Sequence, residues 1–260
     1  MAAGVEAECR DDSGVLSLDG WLDLDYPRFM ETLDKKTILG VGAHYDDCIF
    51  GVPGILLRAV QKGHRVVILS IIGDYTNWAP VGTDRQNVLI EGTKRLCQER
   101  GVEIVFLDYK SMHFEVTPET KRIMCEQVAD IEADIGLLLW PNDTHPDHVV
   151  ASALTNIAFR WSEAVTGRKG RRPKALYYYD NGPRHTVGFE PDTFVDISDV
   201  SLAAFAWLGS LMALVRGEQS RAVSSAVEAK EKLAAYRGGT CGVKFSEALK
   251  SFNHYPRDIL

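Results

Sequence analysis

Apolar runs alternate with helically spaced apolar positions along the first part of the chain. Thr37–Ala43 is an apolar run between Lys35-Lys36 and a polar His-Tyr-Asp-Asp packet, the pattern of a buried strand. Val52 to Lys62 places apolar residues at 52, 55, 56, 59 and 60, a helical spacing that Gly63 stops. His64 to Ile72 is almost wholly aliphatic and reads as a strand buried on both faces. Gly73 to Thr83 reads as a loop, and Asp84 is placed to cap a helix that runs to Arg100 and stops at Gly101. Val102–Asp108 predicts a third strand, and Thr117-Pro118 opens a helix to about Asp134. Ile135–Trp140 is a fourth strand, and a helix follows from Asp147 to Val165.

Strand and helix thus alternate four times, which implies a parallel sheet covered on both faces. Beyond a basic loop, Gly167 to Pro173, the pattern loosens. Ala175–Asp180 and Thr193–Ile197 read as two further strands. A helix capped by Ser198 or Asp199 runs to Arg216, and another from Ser220 to Tyr236 stops at Arg237-Gly238-Gly239, leaving a mixed tail over 240–260. The leading residues 1–34 hold a turn at Asp23–Pro27 and a short helix over Arg28–Asp34. With no repeat, linker or low-complexity tract, the expectation is one domain over 1–260. Its class is α/β: a Rossmann-like doubly wound, mostly parallel sheet with helices on both faces and a C-terminal helical extension.

Composition narrows the function classes. The 260 residues suffice for a sizeable core, and 45% hydrophobic with 25% charged residues is ordinary for a soluble protein. A net charge of −7 argues against a nucleic-acid partner. No run of about 18 apolar residues exists to span a membrane. The acidic N-terminus lacks the basic start and apolar core of a secretory signal. The cysteines at 9, 48, 97, 125 and 241 are odd in number and widely spaced, which suits reduced thiols in the cytoplasm.

Candidate chemistry sits at two strand ends. His44-Tyr45-Asp46-Asp47 leaves strand one, and His145-Pro146-Asp147-His148 follows strand four. In the winding order 3-2-1-4 these strands are neighbours, and ligands bind outside their carboxyl ends. The two packets would then form one site. His44, Asp47 and His148 offer the three nitrogen and oxygen ligands of a catalytic zinc. Asp46, His145 and Asp147 remain as base, acid or electrophile for hydrolysis of an amide or ester. A cationic imidazole there would stabilise an oxyanion. Chemistry alone leaves open which aspartate is ligand and which is base. Gly40-Val41-Gly42 could begin a dinucleotide fingerprint, but its third glycine would fall at Tyr45. Asp74, where a ribose-binding acid would stand, keeps a nucleotide-binding reading open.

The first packet resembles the Ala-His-Pro-Asp-Asp motif of the PIG-L/LmbE-type zinc-dependent N-acetylglucosamine deacetylases, and His145-Pro146-Asp147-His148 is similar to their His-Pro-Asp-His motif. Val195-Asp196-Ile197-Ser198 resembles a late strand of that family, and Gly242–Ala248 its C-terminal segment. The resemblance implies one Zn2+ per chain on His44, Asp47 and His148. It implies Asp46 as general base, His145 at the oxyanion or leaving amine, and Asp147 tuning His145. The implied substrate is a small N-acetylated sugar. Tyr45 departs from the family's proline, which removes a stiff φ and is expected to put a phenol at the cleft rim. Cys48 replaces a frequent glutamate and reads as packing rather than as a fourth ligand.

Substrate contacts are expected from Tyr45, Asp74, Trp78, Arg184 and His185, in loops at the same sheet edge. The basic run Arg168–Arg172 reads as a solvated loop. The Ala- and Leu-rich helix 201–215 suits either core or an interface between copies in a homo-oligomer. Two rivals stand beside the deacetylase expectation: a metal hydrolase of another amide or ester, and a nucleotide-binding or inactive binding protein on the same scaffold.

Overall fold

The computed structural model describes residues 35–78, 84–170, 172–182 and 184–253. The leading turn and helix expected before Lys35 lie outside them. From Lys35 onward the chain forms one compact unit.

Seven strands form one sheet in the order β3-β2-β1-β4-β5-β7-β6. They are β1 (Thr37–Gly42), β2 (Arg65–Asp74), β3 (Glu103–Lys110), β4 (Ile135–Leu139), β5 (Ala175–Tyr179), β6 (Thr193–Asp196) and β7 (Ser246–Ser251). The first five run parallel, and β7 is antiparallel to both β5 and β6. Val41 pairs with Leu69 on β2 and with Leu138 on β4, so β1 is central and its carboxyl end lies beside that of β4. This is the expected winding order.

The helices are α1 (Asp47–Gly51), α2 (Pro53–Gln61), α3 (Arg85–Gln98), α4 (Pro118–Ile131), α5 (Pro146–Thr166), α6 (Ser201–Arg216) and α7 (Arg221–Cys241). α4 and α5 pack together, with α5 against β1 and β4. α6 packs on α1, α2 and α3, and α7 on α6 and β7. Leu39, Leu69, Leu138 and the large Trp207 of α6 are fully buried in one cluster. The inward face of α6 is therefore core, while Leu202 points to solvent.

Four details depart from expectation. The helix expected over 52–62 is α2, and a short helix not expected there, α1, precedes it, the two separated at Val52. Helices α3 and α6 have no side-chain N-cap bond from Asp84, Ser198 or Asp199. The glycine pair at 238–239 does not stop α7, which runs on to Cys241 and ends at Gly242 with φ +78°. A Cβ on Gly238 would lie 2.7 Å from the carbonyl oxygens of Val243 and Lys244, so this glycine serves close packing inside the helix. The tail, read as mixed, contributes β7 between β5 and β6.

Candidate active site

Two loops after neighbouring strands build the site. At the end of β1 a Cβ on Gly42 would sit 2.8 Å from Asp47 Cβ, so glycine lets the chain fold back over Asp47. The His44 backbone N–H then donates to Asp47 Oδ2 at 2.8 Å. After β4, His145 caps α5: its Nδ1 accepts the Asp147 backbone N–H at 3.2 Å. That sets Asp147 and His148 in the first turn, facing β1.

His44, Asp47 and His148 are only 5%, 1% and 3% exposed, so their charges need partners. His148 Nε2 lies 3.2 Å from Asp47 Oδ1, and His44 Nδ1 lies 3.7 Å from Asp47 Oδ2. The opposite nitrogens meet two other carboxylates. His44 Nε2 donates to Asp147 Oδ2 at 3.1 Å. His148 Nδ1 lies 3.1 Å from Asp143 Oδ2, close but off-axis for a hydrogen bond. Each ring thus turns one nitrogen to Asp47 and braces the other on a carboxylate, as metal-binding histidines do. This donor set fits a divalent cation of the zinc type. Ligating atoms of His44, Asp46 and Asp47 lie within 4.8 Å of one another, as do those of His44, His145 and His148.

The carboxylate of Asp147 does not reach His145, the partner expected from the resemblance. It holds His44, and it is itself held by Ser111 Oγ at 2.9 Å and by the Met112 N–H at 3.0 and 3.1 Å. Met112 adopts φ +65°, a left-handed conformation unusual for a side-chain-bearing residue. Asp147 touches His145 only through its backbone N–H.

Electrostatics separate the two aspartates. Burial, then the charge of Asp47, raise the Asp46 carboxyl to about 6. Burial also opposes the charge of Asp47, but His148 and His44 hold it well below the usual carboxylate range. Burial works against the charged imidazoles, yet Asp147 and Asp47 carry His44 to about 9, and Asp47 and Asp143 carry His148 to about 10. Burial, followed by the charges of His44 and His148, lowers His145. With Nδ1 accepting a backbone N–H, neutral His145 keeps its proton on Nε2.

These groups line a cavity of about 400 Å³. Among the expected substrate residues, Tyr45, Trp78, Arg184 and His185 line it and Asp74 does not. Asp74 closes a turn on Thr76 and lies 3.7 Å from Lys110. Tyr45 is buried in the wall rather than placed at the rim. Its N–H donates to Tyr75 Oη at 3.0 Å, a bond that proline at this position lacks, and its ring meets Tyr75 and Trp78 edge-on. The Trp78 ring lies 5.9 Å from that of His44, and His185 lies 5.7 Å from His148. Cys48 sits 3.3 Å from Tyr179 Oη, 1% exposed and with burial pushing its thiol up, as a packing residue.

Sequence reasoning missed several participants. Asn181 Nδ2 donates to Asp47 Oδ1 at 2.7 Å. Asp143 braces His148 and accepts the His145 N–H at 2.8 Å. Ser111 and Met112 hold Asp147. Asp143 stands two residues before His145, so a search for carboxylates beside the second packet would have found it. Asn181, Ser111 and Met112 come from distant loops with no local signal.

Residues 39–159 match the family model described as PIG-L: GlcNAc-PI de-N-acetylase. The chain is 27% identical over 183 residues to a diacetylchitobiose deacetylase of Thermococcus kodakarensis, covering 64% of this chain and 66% of that relative. The match therefore spans just under two thirds of the relative's length. The fold is similar to that of the conserved protein TT1542 of Thermus thermophilus (TM-score 0.70, 22% identity, covering 86% of this chain and 98% of that one). It is also similar to that of GalB, the 4-carboxy-2-hydroxymuconate hydratase of Pseudomonas putida (TM-score 0.71, 18% identity, 86% and 99%).

Proposed function

Residues 39–159 match the PIG-L family model, and from that likeness we propose that this chain is a zinc-dependent hydrolase that removes the acetyl group from an N-acetylglucosamine-type amino sugar. The fold does not select this reaction, since a hydratase shares it. The observation that carries the reading is Asp47 held between His44 and His148, with Asp46 beside it and the His145 ring 4.7 Å from that of His148.

His44, Asp47 and His148 would hold one Zn2+ per chain. When bound, it would polarise the acetyl carbonyl and make water beside it more acidic. Asp46, raised to about 6, is ionised at neutral pH and accepts the proton of the attacking water. The Nε2–H of His145 donates to the carbonyl oxygen as negative charge gathers on it. Asp46 then passes its proton to the departing amine, so the products are acetate and the free amino sugar. Asp147 and Asp143 orient His44 and His148, and Asn181 orients Asp47. Trp78 supplies a flat apolar face for a sugar ring.

We place this activity on a single α/β domain and in the cytoplasm. Cys48, Cys97, Cys125 and Cys241 are unpaired, and no helix among the described residues is long and apolar enough to cross a membrane. The test is an acetate-release screen over N-acetylated sugars, with His44→Ala and His148→Ala alongside. Loss of both bound metal and acetate release in these variants is expected. Acetate release that persists in both variants would overturn the assignment.

A further inference from the structure

Two parts of the cavity wall are built on a residue that does not itself line the cavity: Tyr75, 3% exposed and placed just after β2. The turn after β1 that carries Asp46 needs support from outside, because Tyr45 is buried and a buried N–H left unpaired is costly. Within the turn the His44 N–H is taken by Asp47. The Tyr45 N–H instead leaves the turn and donates to Tyr75 Oη at 3.0 Å. The Tyr75 hydroxyl donates in its turn to the Ile72 carbonyl at 3.3 Å, and the Ile72 N–H donates to the Ala43 carbonyl at 2.9 Å. Residues 43–45 and 72–75 are thereby closed into one hydrogen-bonded ring that runs through the phenol oxygen.

The same residue carries Trp78. The Trp78 N–H donates to the Tyr75 carbonyl at 3.0 Å, and the two rings meet edge-on with centroids 4.9 Å apart. The Tyr75 N–H donates to Gln86 Oε1 at 3.1 Å, which anchors the segment to α3. Trp78 lines the cavity with its ring 5.9 Å from that of His44, and Asp46 lines the same cavity from the turn after β1. One buried tyrosine therefore holds both the proposed base and the flat apolar face.

We propose that Tyr75 is a positioning residue: it fixes Asp46 relative to Trp78, and so the attacking water relative to a sugar ring seated on the indole. Its hydroxyl acts on the base, through the Tyr45 N–H, and its ring acts on the indole. The inference rests on the deacetylase reading and adds a residue that touches neither metal nor substrate. A misplacement of about 1 Å can cost on the order of a hundredfold in rate. A support of this kind therefore matters more to turnover than its single hydrogen bond does to stability.

The experiment compares zinc-loaded wild-type protein with Tyr75→Phe and Tyr75→Leu. Tyr109→Phe is the control, because the buried Tyr109 hydroxyl has no hydrogen-bond partner among the described residues. Amide exchange over residues 43–50, read by mass spectrometry, follows the tie without reference to turnover. Tyr75→Phe is expected to exchange there on the order of tenfold faster, the scale of one lost hydrogen bond, with exchange over β4 unchanged. On N-acetylglucosamine and N,N′-diacetylchitobiose its kcat is expected to fall about tenfold or more, with KM and bound zinc near the wild-type level. Tyr75→Leu is expected to raise KM as well, and Tyr109→Phe to change none of these. Unchanged exchange or unchanged kcat in zinc-loaded Tyr75→Phe, whatever its melting temperature, overturns the inference. Loss of bound zinc overturns it too, since Tyr75 would then hold the ligands rather than the base. Faster exchange in the variant, beside a wild-type protein that releases no acetate from either sugar, would uphold the tie and contradict the deacetylase reading instead.

Discussion

At the residue scale, adjacent carboxylates are given different work by their surroundings. Asp47 has two histidines and an amide turned toward it and stays ionised. Asp46 has a carboxylate neighbour and partial burial, which raise it to about 6. Asp46→Asn is therefore expected to lower kcat by roughly 10²–10⁴-fold, the range of general base catalysis, while metal content stays at the wild-type level. Metal loss in this variant would shift Asp46 into the ligand set. A raised carboxylate must lose its proton to act as base, so activity falls as pH drops through its pKa. A divalent cation nearby favours the ionised form, so the acid limb of kcat/KM is expected at about 6 or lower, and a limb well above neutrality would contradict the assignment. Asn181→Ala removes the 2.7 Å bond to Asp47 Oδ1. About 10–100-fold weaker metal retention is expected from losing such a support, read by competition with a chelator.

At the scale of elements, the site depends on contacts that periodicity does not encode. The strand pattern made the adjacency of β1 and β4 legible, because aliphatic runs and the winding rule suffice to place them. Strand β7 was not legible: Ser246 and Glu247 are polar yet buried. Glu247 accepts the backbone N–H groups of Gly54 and Ile55 at the start of α2 and pairs with Lys230 of α7 at 2.8 Å. Glu247→Ala leaves Lys230 buried without its carboxylate, a change that costs about 3–5 kcal/mol in comparable buried pairs. Thermal unfolding of this variant against the double variant with Lys230→Met checks it, and the double variant is expected to recover part of the loss. Gly238 poses a similar contest. Alanine in a helix interior gains about 1 kcal/mol over glycine. Contact with two backbone carbonyls at 2.7 Å opposes it, and backbone does not move aside cheaply. Gly238→Ala is therefore expected to lower the melting temperature, and a rise would show that the 243–244 turn yields. The bracing of His44 by Asp147 was equally hidden, since it depends on where the turn after β3 delivers Ser111 and Met112.

At the scale of the whole molecule, a seven-stranded sheet brings two distant sequence packets to one edge and leaves a cavity above them. Both packets were legible as a constellation, because their residue types match metal-assisted hydrolysis. Of their supports only Asp143 had a local signal, two residues before His145, because Asn181 and Ser111 act through three-dimensional neighbours alone. The central claim is that one zinc on His44, Asp47 and His148 is required to cleave an acetamide. It is tested most directly by stripping the protein of metal and titrating zinc back while acetate release from the best N-acetylated sugar is followed. The expected result is no activity without metal, then a linear rise that levels off at one zinc per chain. Full activity in the stripped protein, or no acetate release at any zinc loading, would contradict it.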